Sequence, residues 1–174
     1  MSFEKFAKQH GQPLSVARHD CVFRQGDQDG MLYFVISGLL KAYYVSFEGK
    51  ESIKSFIQAG STIGSLSATY KGLPCTFSLM ALEDTQLIRL PFKELVDATH
   101  NSHAIAEEVI QILLTLSMRK EQREYEFLSL PAEERYLNLC KRDPELVTRL
   151  TQNDIARYLG ITPVALSRIK KRLL

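Results

Sequence analysis

Between Thr151 and Lys171 the chain reads Thr-Gln-Asn-Asp-Ile-Ala-Arg-Tyr-Leu-Gly-Ile-Thr-Pro-Val-Ala-Leu-Ser-Arg-Ile-Lys-Lys. Few arrangements satisfy this order except two short helices joined by a tight turn. Thr151 can cap the first helix, and Asp154 adds negative charge to its first turn, where the helix dipole favours it. Ile155 and Leu159 fall four apart, on one face. Ala156 is small where the two helices must cross closely. Gly160 can take the left-handed conformation that ends a helix, and Ile161 plugs the turn. Thr162 then caps a second helix with Pro163 at its first position, where the missing N–H is no loss. Leu166 and Ile169 turn inward, while Val164, Ala165, Ser167, Arg168 and Lys171 stay outside. The segment predicts a helix-turn-helix, whose second helix enters the major groove of DNA.

Each exposed side chain then has an expected role. Arg168 is the base reader, because a guanidinium matches guanine O6 and N7 bidentately. Thr162, Val164 and Ser167 are placed for secondary base or methyl contacts. Thr151, Gln152, Lys170, Lys171 and Arg172 are placed for phosphates, which orient the protein without specifying sequence. The charge distribution agrees. From Lys141 onward there are eight Lys and Arg against three Asp and Glu, whereas the preceding residues carry 14 against 17. A basic end on a mildly acidic body suits a polyanionic partner.

The rest of the chain divides by hydrophobic period. From about Leu14 to Leu90, short β-type runs alternate with turn signals such as Ser37-Gly38, Glu48-Gly49-Lys50 and Ala59-Gly60-Ser61. That regular spacing predicts a sandwich, barrel or jelly roll. At Pro91 the pattern becomes helical, with a short helix over Pro91–Ala98 and a long one over His103–Ser129. Ile105, Val109, Ile112 and Leu116 are spaced four, three and four, the pattern of a coiled-coil seam, and predict self-association. Leu130-Pro131 breaks that helix, another begins after it, and Arg142-Asp143-Pro144 reads as a turn. The fold expected is α+β: an N-terminal double-stranded β-helix (jelly roll), a long dimerisation helix and a C-terminal helix-turn-helix domain.

Several function classes fit poorly. No apolar run reaches the roughly 18 residues of a membrane span, and Met1–Gln12 lacks the apolar core of a signal peptide, so a cytoplasmic location away from membranes is expected. Cys21, Cys75 and Cys140 are scattered and give neither a disulfide framework nor metal spacing. The β-region has only His19, too little for a metal-dependent jelly-roll enzyme. No catalytic residue, metal site or cofactor is expected.

The β-rich part, the long helix and the helix-turn-helix together resemble the cyclic AMP receptor protein (CRP/FNR) family of transcription regulators. The resemblance rests on Phe23-Arg24-Gln25-Gly26-Asp27, Leu32-Tyr33-Phe34-Val35-Ile36-Ser37-Gly38, Ile63-Gly64-Ser65-Leu66, and Leu150 to Lys171. It implies a β-roll sensor over 1–92, a linker and dimerisation helix over 93–129, and a DNA-binding domain over 130–174. It also implies a homodimer on a two-fold symmetric double-stranded operator, in contact with RNA polymerase. The effector pocket it implies is formed by Ile63, Gly64, Ser65, Leu66, Cys75 and Thr76.

Departures from the family pattern are informative. Ser65 stands where nucleotide-binding members place the Glu that holds the ribose. Cys75 stands where they place the Arg that pairs with the cyclic phosphate. Without that guanidinium a buried phosphate would be unpaired, so tight cyclic AMP binding is not expected and the effector is unknown; Arg119 is the conceivable substitute donor. Iron–sulfur members use a cluster of N-terminal cysteines, which Cys21 alone does not supply. In the recognition helix, Arg168 matches the family's base-reading Arg. Pro163-Val164 replaces its early Arg-Glu pair, so a different operator is expected. The sequence stops at Leu174, without the β-hairpin wing of many relatives, and DNA binding is expected to lean more on dimerisation. The competing reading is a ligand-binding or protein-interaction module of the same fold whose DNA affinity has degenerated.

Overall fold

The computed structural model describes residues 2–173 and divides the chain into two compact units, Met1–Leu113 and Leu114–Leu174. The division falls within the helix α4 (His103–Ser129) rather than at either of its ends.

The first unit is built on two four-stranded antiparallel sheets. One has the order β1 (Gln12–Val16), β8 (Thr85–Pro91), β3 (Met31–Ser37), β6 (Thr62–Ile63). The other runs β2 (Cys21–Phe23), β7 (Ser78–Ala81), β4 (Leu39–Val45), β5 (Glu51–Gln58). Strand β3 shows why the chain folds this way. Its near-continuous apolar run looks out of place in an antiparallel sheet, where one face usually meets water. Here both faces are covered. Tyr33 and Val35 point into the core between the sheets, with Phe23, Leu40, Ile57, Phe77, Leu79 and Leu87. Leu32 and Phe34 point the other way, into a second core with Phe3, Phe6, Ile88, Leu90, Leu95 and Ile105.

That second core recruits three helices: α1 (Phe3–His10), α3 (Phe92–Asn101) and the first part of α4, whereas the short α2 (Leu66–Lys71) sends Ala68 into the core between the sheets. Helix α1 was not foreseen, because Phe3, Phe6 and Ala7 are the only buried residues in a polar segment. Ser2 caps it, and the Glu108 carboxylate accepts the Phe3 N–H at 2.6 Å. Ile105 is buried in the same core, with Val109 and Ile112 packed against it.

The second unit comprises the remainder of α4 with α5 (Ala132–Arg142), α6 (Pro144–Arg149), α7 (Gln152–Leu159) and α8 (Pro163–Leu173). Asp143 and Pro144, expected as a turn, instead start α6: the Asp143 carboxylate accepts the Leu146 N–H at 3.0 Å and Pro144 takes the first helical position. Ile155, Ala156, Leu159, Leu166 and Ile169 are buried, as the helix-turn-helix pattern required.

Candidate nucleic-acid interface and the interior of the roll

The local geometry of the second unit follows from its caps. Thr151 Oγ1 accepts the Asp154 N–H at 3.1 Å and donates to the Asp154 carboxylate at 2.5 Å. Gly160 ends α7 with a left-handed φ of 70°. A Cβ at that position would lie 2.7 Å from Cε2 of Phe127, so both the turn and the packing demand glycine. Thr162 Oγ1 accepts the Ala165 N–H at 3.2 Å and starts α8.

With Leu166 and Ile169 buried, α8 turns Val164, Ser167 and Arg168 outward together, and Gln152, Lys171 and the Thr151 and Thr162 positions are also exposed. Lys170 is half-buried. Among the described residues Arg168 has no carboxylate partner. Arg172, expected on a phosphate, is instead paired with Glu133 of α5 at 2.6 Å.

A cluster that sequence reasoning missed fastens α7 to the last turns of α4. The Arg123 guanidinium stacks 3.7 Å from the centre of the Tyr158 ring and donates to the Tyr158 carbonyl at 2.5 Å. Burial lowers its pKa below the ordinary arginine value. Glu126, 3% exposed, accepts from Arg142 at 2.9 Å and from Gln122 at 3.0 Å. Arg135 donates to the Leu130 and Leu159 carbonyls at 3.0 and 2.9 Å, neutralising the negative ends of two helices at once. No local pattern announces these pairings, since Arg123 and Tyr158 lie 35 positions apart.

In the roll, the six residues assigned to the effector pocket separate. Ile63, Ser65 and Cys75 are buried, whereas Leu66 and Thr76 are exposed and Gly64 is intermediate. Gly64 approaches β3 so closely that a Cβ would sit 2.7 Å from Leu32 Cδ2. Ile63 and Cys75 belong to the core between the sheets. Phe77 fills the space beside them, 5.3 Å from Phe23 between ring centres, with the Lys54 ammonium 4.2 Å from the centre of the Phe77 ring. Ser65 Oγ is buried without a hydrogen-bond partner, yet its hydroxyl lies close enough to offset part of the rise in the Cys75 thiol pKa. Burial is the main cause of that rise, and Asp29 and Asp27 add to it. Asp29 is held in place by the Tyr33 hydroxyl at 2.9 Å and the Met31 N–H at 3.0 Å.

Around Cys75 the chain therefore presents a thiol held toward its neutral form and the negative charges of Asp27 and Asp29. A surface groove of about 450 Å³, lined by Ser2, Ala104, Glu107, Glu108, Gln111 and Ile112, includes none of the six. Cys75 is 2% exposed, while Cys21 and Cys140 are partly exposed. Iodoacetamide under native conditions is accordingly expected to label Cys21 and Cys140 well before Cys75, as peptide mass spectrometry would show. The three thiols occupy separate places, and among the described residues no group of three His, Cys, Asp or Glu is arranged to hold a metal.

On α4, the four residues expected as a seam do not lie uncovered. Ile105 is buried in the second core, Val109 and Ile112 pack against that core, and Leu116 is half-buried. The exposed apolar residues are others: Leu114, Met118, Tyr125 and Leu128, spaced four, seven and three, with Ile110 and Leu113 before them and Phe127 between the last two.

Residues 13–102 match the model of the cyclic nucleotide-binding domain. The chain belongs to that family. This cyclic nucleotide-binding domain protein is homologous to the "Anaerobic regulatory protein" of Haemophilus influenzae, at 29% identity over 90% of this chain and 65% of the relative. It is likewise homologous to the "Fumarate and nitrate reduction regulatory protein" of Escherichia coli, at 28% identity over 90% of this chain and 66% of the relative. It thus spans just under two thirds of these relatives' length, and they are regulatory proteins rather than enzymes. Its fold is that of CRP/FNR regulators. The structure of FixK2 from Bradyrhizobium japonicum superposes with a TM-score of 0.80 at 19% identity, covering 94% of this chain and 84% of that one. The global regulator CLP of Xanthomonas campestris, whose structure is described as c-di-GMP responsive, gives 0.79 at 19% identity over 98% and 89%. No helix among the described residues is long and apolar enough to cross a membrane.

Proposed function

We propose that this chain is a cytoplasmic, DNA-binding transcription regulator that acts as a homodimer on a two-fold symmetric operator and contacts RNA polymerase there. The observation that carries the reading is α8: a capped helix whose buried Leu166 and Ile169 leave Arg168, Ser167 and Val164 on one exposed face. Its relatives' names, which describe regulatory proteins, support the same reading. The partner surface we assign is the exposed α4 strip of Leu114, Met118, Tyr125 and Leu128, because Ile105, Val109 and Ile112 already pack within their own roll. Arg168→Ala is expected to cost about 1–3 kcal/mol per half-site and to relax selection at the guanine it reads. A salt-titrated mobility-shift assay with wild-type and variant protein tests this. Binding that is insensitive to both sequence and Arg168 would return the chain to the class of interaction modules.

The roll, in this reading, does not take cyclic AMP. A phosphate brought to Cys75 would lose its hydration and face the carboxylates of Asp27 and Asp29, with a thiol where a guanidinium would pair with it. Isothermal titration with cyclic AMP is expected to give no saturable heat at micromolar concentrations, and a micromolar isotherm would overturn the assignment.

A further inference from the structure

We propose that Val164 reads the 5-methyl group of a thymine lying within two base pairs of the guanine read by Arg168. The inference rests on the DNA-binding reading of α8 and adds to it the base chemistry at the helix's leading end. Val164 is 62% exposed, and the outward residues that follow it along the helix, Ser167, Arg168, Lys171 and Arg172, are polar or basic up to Leu173 at its end. Its rotation about the helix is fixed, because Leu166 and Ile169 are buried on the opposite side. Val164 and Arg168 are one turn apart, about 5–6 Å between Cβ atoms. With roughly 3.4 Å per base step, that spacing covers up to two base pairs.

The chemistry offered by this end of α8 is apolar. Pro163 has no N–H, and the Ala165 N–H is taken by Thr162 Oγ1 at 3.2 Å. The Thr162 hydroxyl, expected as a secondary base contact, is occupied as an acceptor by that bond. Its own O–H remains to donate, and beside it the pair of Val164 methyl groups is the apolar surface that this end brings to base edges. In the major groove, thymine alone carries a methyl group. Cytosine at the same place presents an amine donor, which an isopropyl group would bury unpaired. Burying one methyl group against Val164 corresponds to about fourfold in affinity.

The test is an in vitro selection from random duplexes with the purified chain, followed by titration of the selected duplex. In the second step the thymine nearest the guanine is replaced by deoxyuridine, which deletes only the methyl group. The expected result is a thymine within two base pairs of the guanine. Deoxyuridine should weaken the wild type by about fourfold per half-site and leave Val164→Ala unaffected. Two outcomes overturn the proposal: a wild type indifferent to deoxyuridine, or an equal loss in both proteins, which would assign the methyl effect to the DNA itself. A selected site with the guanine but no nearby thymine overturns it while leaving the DNA-binding reading intact. A pool that shows no sequence preference at all overturns that reading as well.

Discussion

If the proposed homodimer forms through the exposed strip of α4, Leu114→Asp is expected to convert it to monomer and to lower operator affinity by about two to four orders of magnitude. Leu114, Met118, Tyr125 and Leu128 are exposed along α4 at spacings of four, seven and three, which keeps them on one coiled-coil seam with Glu121 at the intervening position. In the proposed homodimer a second copy of the chain covers this strip by symmetry. An aspartate in that seam would have to be buried without a partner. Once the subunits separate, each half-site is bound singly and the gain from linked binding, about 10²–10⁴, is lost. Sedimentation velocity and mobility shift on the same sample check both halves of the expectation. Val109→Asp provides the contrast. Val109 packs against the core of the first unit, so its replacement should lower the stability of that unit rather than the subunit affinity. If Leu114→Asp sediments as the wild type does, the strip is not the seam.

The second large effect is expected from Arg142→Ala. Glu126 is 3% exposed, and its carboxylate is held by Arg142 at 2.9 Å and Gln122 at 3.0 Å. Removing one partner of a buried pair leaves the other charge uncompensated, which typically costs about 3–5 kcal/mol. The lower end applies here, because the Arg142 side chain is itself 45% exposed and Gln122 still donates. Glu126→Gln should cost less, since the charge it leaves behind is the half-exposed guanidinium. Urea unfolding followed by helical circular dichroism would establish the order, and a smaller loss for Arg142→Ala than for Glu126→Gln would contradict this account of the pair.

Much of this architecture is legible in the chain itself. The α4 boundaries, His103 to Ser129, are where the periodicity and Leu130-Pro131 place them. The first helix of the helix-turn-helix begins and ends on the cap residues that announce it, Thr151 and Gly160, and the second begins on Thr162. Other features are hidden for identifiable reasons. Asp143-Pro144 is equally good chemistry for a turn and for a helix start, and only the following Leu146, buried in the second unit, decides for α6. The role of the expected seam is not legible from spacing alone, because Ile105, Val109 and Ile112 carry the same spacing whether they meet a partner helix or their own sheet. Over three turns a 3.5 and a 3.6 period cannot be told apart. Within the effector pocket, the substitutions at Ser65 and Cys75 were visible, but the carboxylates of Asp27 and Asp29 beside Cys75 come from a distant loop and needed coordinates to find.

The arginine cluster at the end of α4 has a mechanical consequence. Arg123 and Arg135 bind carbonyls at the end of α7, and Phe127 closes against Gly160. The last turns of α4 and the helices that follow therefore move as one piece, without a free joint at Leu130-Pro131. Such an assembly behaves as a torsion rod with a blade at its tip. A few degrees of twist delivered to the rod reappear as the same few degrees in the angle at which α8 is presented to the groove.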